Sequence, residues 1–273
     1  MNILFCGDVV GSAGRAVLSK YLPDLRRDLE LDFVVVNGEN AAGGFGITGA
    51  IAETLFDLSV DVITTGNHVW DQREVATVLV REPRLLRPIN FPPASTPGNG
   101  MGVYEYESPH RGKVLVVNVM GRLFMDPLDD PFAALEAVFA KHVLGENIDA
   151  AIVDMHAEAT SEKQAVAHFL DGRASLVVGS HSHVPTADGQ ILPGGTAYQS
   201  DAGMCGDYDS VIGSDKGMWV QKFRSKMPVG RIGPSNGAAT LCAVLVETEP
   251  RSGLARSIEP VILGARLKER RPG

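Results

Sequence analysis

The sequence predicts an α/β fold, and two observations carry that expectation. Five short apolar runs, rich in β-branched residues, each stop abruptly at a polar loop, as central strands of a covered sheet do. Helical stretches lie between the runs, and such alternation builds α/β layers through right-handed crossovers.

In chain order, the first run, residues 3–6, stops at Gly7-Asp8. Residues 15–29 then place Val17, Leu18, Leu22, Leu25 and Leu29 on one helical face, with a bend expected at Pro23. The second run, 33–36, leads into Asn37-Gly38-Glu39-Asn40. Gly43, Gly44 and Gly46 follow, either to turn the backbone closely or as a plain flexible loop. Thr48 stands in cap position for a helix over 48–58. The third run, 62–65, ends at Gly66-Asn67-His68, and the proline-rich stretch 87–100 is expected to be a loop within one domain. Residues 103–106 and 113–119 predict a hairpin with its loop at 109–112. Pro131 opens a helix over 131–143.

The fourth run, 151–153, ends at Asp154-Met155-His156. Ser161-Glu162-Lys163-Gln164 has the form of a capping box, opening a helix to about Leu170. The fifth run, 176–178, ends at Gly179-Ser180-His181-Ser182-His183. Residues 239–248 and 257–263 predict a second hairpin around Glu249-Pro250-Arg251-Ser252-Gly253. Antiparallel hairpins in an otherwise alternating chain predict a second sheet packed on the first. A single domain over 1–273 is expected, with roughly the last eight residues a frayed, basic tail.

Bulk composition narrows the function classes. The chain is 44 % hydrophobic and carries a net charge of −8, which argues against a broad grip on nucleic acid. Small anionic substrates stay open, because bound cations reverse the local field. The longest apolar runs are too short to span a bilayer, and no secretory signal opens the sequence. Cys6, Cys205 and Cys242 are odd in number and include no CxxC pair. That pattern fits a reducing, cytoplasmic compartment and argues against both a disulfide framework and a thiolate zinc site. A homo-oligomer is compatible with all of this.

Ligands gather beyond the carboxyl ends of strands in open α/β sheets. There the sequence puts Asp8, Glu39, Asn40, Asn67, His68, His156, His181 and His183, including four of the seven histidines. Each has an ordinary explanation alone: Asp8 as a cap, Glu39-Asn40 as a surface turn, His156 as a core histidine. His181-Ser182-His183 is the sharpest, since alternation would put both imidazoles on one side of an extended segment. Imidazole and oxygen donors without thiolate suit iron, manganese or zinc. So many donors exceed one ion and fit two metal ions sharing a carboxylate. His110, His142 and His168 have no such neighbours and are expected to be surface or packing positions. The spaced Gly7, Gly11 and Gly14 match a dinucleotide fingerprint only loosely.

The ordered donors, with the strings GDVVGSAGR, NGENAAGGFGITG, GNHVWD, VDMHAEATSEK and GSHSHVPTADGQ, resemble the calcineurin-like metallophosphoesterase superfamily, and within it the bacterial YmdB-type branch. The resemblance implies a four-layer αββα sandwich of two mixed sheets flanked by helices. It also implies hydrolysis of 2′,3′-cyclic nucleotides to 3′-nucleotides by attack of a metal-bridging hydroxide. Carried over by position, Asp8 and His183 would hold one metal, and Asn67, His156 and His181 the other. Glu39 would bridge them, and His68 would donate a proton or hydrogen bond to the leaving oxygen. Val10 stands where the superfamily usually has a ligand histidine, so Asn40 is expected to substitute. A broad phosphodiesterase or phosphomonoesterase, or an RNA-metabolism regulator with a vestigial site, are the competing possibilities.

Overall fold

The computed structural model describes residues 1–108 and 110–272. Its elements run β1 (Asn2–Cys6), β2 (Asp8–Val9), α1 (Gly11–Asp28), β3 (Phe33–Asn37), α2 (Gly49–Asp57), β4 (Val62–Thr64) and α3 (Val75–Arg81). Then come β5 (Met101–Ser108), β6 (His110–Met120), α4 (Pro131–Phe139), β7 (Ala150–His156), α5 (Thr160–Phe169) and β8 (Leu176–Ser180). The chain continues through β9 (Gln190–Ile191), β10 (Ala197–Gln199), β11 (Met204–Asp207), α6 (Lys216–Ser225), β12 (Ala239–Thr248) and β13 (Ala255–Gly264).

Strand alternation explains the layers. In β1, Ile3 and Phe5 face one way while Leu4 and Cys6 face the other, and β3 repeats this with Phe33 and Val35 against Val34 and Val36. The first set meets Val114, Val116, Ala150, Ile152, Leu176 and Val178 of the second sheet in an apolar seam, which turns polar toward the strand ends, where Asn37 and Thr64 donate to Asp154. The second set packs under α1 and α2 through Leu18, Leu22 and Leu55. On the far side, Leu115, Val117, Ala151, Val153 and Val177 lie under Leu135, Val166 and Leu170 of the α4–α5 region. The result is the expected αββα sandwich of two mixed sheets, driven by burial on both faces of each sheet.

Both sheets are mixed. One runs β2-β11-β12-β1-β3-β4 with β13 on β12, the other β5-β6-β7-β8-β10-β9. The five apolar runs therefore do not share one sheet. Three stand in the first sheet and two in the second, since parallel central strands look alike in sequence whichever sheet holds them. The first hairpin extends the second sheet, whereas the second hairpin enters the first, where β12 pairs antiparallel with β1.

Several local expectations shift. The loop expected at 109–112 shrinks because His110, Arg111 and Gly112 pair with Ser108, Glu107 and Tyr106; Pro109 lies outside the described residues. The helix from Pro131 stops at Phe139, and Asn147 captures Val143 N–H instead. The capping box is not one. Ala159 is the cap residue, and the Glu162 carboxylate accepts from Arg122 and Leu123 N–H. The expected frayed tail folds back, with Arg270 and Ile262 exchanging both backbone hydrogen bonds. Thr48 does cap α2 through Ile51 N–H. The proline-rich loop is pinned by the Arg87 guanidinium, which donates to the carbonyls of Pro88, Ile89, Thr96 and Pro97.

Candidate metal centre

Every donor named from sequence stands at a strand end on one edge of the sandwich. Asp8 follows β1, Glu39 and Asn40 follow β3, and Asn67 and His68 follow β4. His156 ends β7, and His181 and His183 follow β8. Two donor groups form, each with its atoms within 4.8 Å of one another: Glu39, His156 and His181, and Asp8, Glu39 and His183. Glu39 belongs to both. The Asn67 carboxamide oxygen lies 2.9 Å from His156 Nε2, on the first group's side. The Asn40 oxygen lies 3.2 Å from His183 Nε2, on the second's.

The three imidazoles are oriented from behind. Ser180 gives its one hydroxyl proton to Asp154, so it accepts from His156 Nδ1 at 2.8 Å. Asp154 is anchored in turn by Thr64 and Asn37. His181 Nε2 faces Glu158 at 3.1 Å, and His183 Nδ1 donates to the Ile212 carbonyl at 2.8 Å. Each ring thus turns its outer nitrogen to an acceptor, a buried one for His156 and an exposed carboxylate for His181, and the other nitrogen inward, as metal-binding histidines do. His156 Nε2 meets Glu39, Asn67 and His181 Nδ1 within 3.3 Å. So many lone pairs on one point repel unless positive charge lies between them.

Electrostatics point the same way. Burial pushes the Asp8 carboxyl well above the usual carboxylate range, and Asp8 Oδ1 is buried with no hydrogen-bond partner among the described residues. Burial also opposes ionisation of Glu39, yet the charge and hydrogen bond of His156 hold it down at about 2. His156 itself is held up at about 9 against burial, because Glu39, Asp8 and Asp154 face it. Burial and the neighbouring His156 push His181 down to about 3, and burial lowers His183. The centre favours a cation, and the orphaned Asp8 oxygen offers a ligand atom. Gly66 leaves the needed space, since a Cβ there would overlap Glu39 Oε2 and His156 Nε2.

The His181-Ser182-His183 segment is not extended. His181 and His183 have φ of +101° and +63°, sparsely populated for side-chain-bearing residues. This backbone sends the two imidazoles to different donor groups. It is held by Asp201, which accepts from Ser182 and Gly203 N–H and pairs with Lys163 at 2.8 Å, both side chains 1 % exposed. Lys163→Met should leave the Asp201 carboxylate buried without its cation. A loss of about 3–5 kcal/mol in urea unfolding is expected; an unchanged midpoint would mean that the pair supports nothing.

His68 stands apart from both groups. Its backbone N–H donates to Glu39 Oε2 at 3.2 Å, while its ring Nδ1 contacts Asp71 at 2.8 Å and stays 30 % exposed. Phe45 meets the ring edge-on at 5.1 Å. Asp71, Asp154, Ser180, Glu158, Lys163 and Asp201 were not singled out from sequence. A carboxylate two residues before His156 on the same strand face was a usable signal for Asp154; Asp201 had none.

Two mixed sheets between helices, with imidazole and oxygen donors at the strand ends, define a calcineurin-like phosphoesterase fold. A likeness of fold alone extends to the calcineurin-like phosphoesterase YfkN of Bacillus subtilis (TM-score 0.56, 12 % identity, 96 % of this chain and 90 % of that one). The YmdB-like protein family matches residues 4–261, and the chain belongs to that family. It is 42 % identical over 263 residues to the 2′,3′-cyclic-nucleotide 2′-phosphodiesterase of Bacillus subtilis (strain 168), covering 96 % of this chain and 97 % of that protein. A crystal structure described as a novel phosphatase from Mycoplasma pneumoniae superposes with a TM-score of 0.89 at 32 % identity, covering 97 % of this chain and 93 % of that one.

Proposed function

We propose that the protein is a two-metal phosphodiesterase that hydrolyses 2′,3′-cyclic nucleotides to 3′-nucleotides. The observation that carries this is the pair of donor groups sharing Glu39, which suits two adjacent divalent or trivalent ions, iron or manganese above zinc. Asp8, Asn40 and His183 would hold one ion, and Asn67, His156 and His181 the other, with Glu39 between them. Bound there, the ions would polarise the phosphoryl oxygens and lower the pKa of an attacking water. Ser180, Glu158 and the Ile212 carbonyl keep the imidazoles aimed. His68, whose Nδ1 is held by Asp71, would donate from its free Nε2 to the leaving ribose oxygen. The three buried, unpaired cysteines support a cytoplasmic setting. Among the described residues no helix is long and apolar enough to cross a membrane.

Metal analysis coupled to turnover tests this. The purified protein should carry two equivalents of metal, convert 2′,3′-cyclic AMP to 3′-AMP, and lose that activity on chelation. One equivalent at saturation, or two with no turnover of any phosphoester, overturns the proposal.

A further inference from the structure

We infer that the natural substrate is the 3′ end of an RNA strand carrying the cyclic phosphate, with its upstream nucleotides lying along residues 216–231. This rests on the diesterase function proposed above. The overall charge of −8 conceals a local reversal. No acidic residue occurs between Asp215 and Glu247, while Lys216, Lys222, Arg224, Lys226 and Arg231 do. Lys216 pairs with Asp209, but among the described residues the other four cations have no carboxylate partner.

The same segment is unusual in packing. Helix α6 buries none of its residues, and Phe223 is 67 % exposed. Trp219 and Phe223 stack at 5.3 Å with 24° between their planes, and Lys222 lies 4.6 Å over the Trp219 ring. Trp219 is half-buried and backs the exposed Phe223 ring; cations interleaved with an aromatic platform are how single-stranded nucleic acid is held, phosphates meeting the charges and bases stacking on the ring.

The segment leaves beside one candidate ligand, His183, and returns beside Phe45, which neighbours His68. Ile212, just before it, accepts the hydrogen bond of His183 Nδ1. Ser214 pairs with Pro234, and Asp215 N–H donates to the Gly233 carbonyl, closing the excursion at its base. Arg231, on the returning limb, sits 4.7 Å over Phe45, the ring that contacts His68. A strand whose last phosphate lies among the donors would therefore meet Arg231 and Phe45 first, then the cations of α6. The continuity between α6 and the centre favours this over an anionic membrane surface, which would need no tie to His183.

The test compares metal-loaded protein on 2′,3′-cyclic AMP and on a ten-nucleotide single-stranded RNA ending in a 2′,3′-cyclic phosphate. At low salt, kcat/KM should be at least ~10-fold higher for the RNA, and should fall with salt at a log–log slope of about −2 to −3. The exposed triple variant K222E/R224E/K226E should lose ~10-fold or more on the RNA and nothing on the mononucleotide. An RNA turned over no better than the mononucleotide overturns the inference and leaves the diesterase function standing; turnover of neither overturns both. Equal losses on the two substrates in the triple variant also overturn it. So does wild-type protein that sediments with phosphatidylglycerol vesicles, through the same three residues, while showing no preference for RNA.

Discussion

Replacing Glu39 with glutamine should release both metal ions together and lower kcat/KM by more than about 10³-fold. Glu39 is the one residue common to the two donor groups. Its carboxylate is held ionised at about 2 by His156 despite complete burial. Glutamine keeps the shape and removes the charge that both ions would share. Fold should survive, because the side chain packs among polar groups and not in the apolar seam. Metal analysis beside circular dichroism reads the result. If one full equivalent stays bound, Glu39 serves a single ion and the bridging role is wrong. An Asn67→Ala comparison should affect mainly the side carrying His156, which lies 2.9 Å from the Asn67 oxygen.

His68→Ala should do the opposite: keep both ions and lower kcat by about 10²–10⁴-fold on a cyclic nucleotide. The ring belongs to neither donor group, and only the backbone N–H of His68 touches Glu39. Asp71 holds Nδ1 at 2.8 Å, fixing which nitrogen is free to face substrate, as an orienting carboxylate does for a general acid. The loss should shrink for p-nitrophenyl esters, whose leaving group departs without a proton. Metal lost in proportion to activity would make His68 a ligand. A loss equally large for both leaving groups would mean that it stabilises the phosphoryl oxygens instead.

The donor set was legible because strand ends are abrupt. An apolar run that stops at Gly-Asp or Gly-Asn-His announces both the strand and the edge where polar groups collect. The division of those strands between two sheets was not legible, since residues 3–6 and 151–153 are apolar on both faces alike. The left-handed backbone at His181 and His183 was hidden for a different reason. It is imposed by Asp201 and Lys163, which pair across 38 residues. Lys163 stands inside the expected capping box, which gives no sign that its side chain is buried. Helix α6 escaped notice because it has no buried face, so no apolar stripe marks it. The orienting partners Ser180 and Glu158 lay inside the motif strings, but only tertiary geometry shows which imidazole each one aims.

Strand β12 lies beside β1 in the first sheet, and Cys242 on it accepts the Gly7 N–H immediately before Asp8. A ribosome making this chain releases Asp8 and Glu39 early but residues 239–248 late, an interval on the order of tens of seconds. During that time β1 presents an open, largely apolar edge, the kind that recruits other chains. The Asp8 loop also lacks its anchor, so the donor set cannot close as a unit until the last hairpin has been inserted. Closure of the donor set around Asp8 therefore waits on a strand far away in sequence, a non-local pairing of the kind that slows folding.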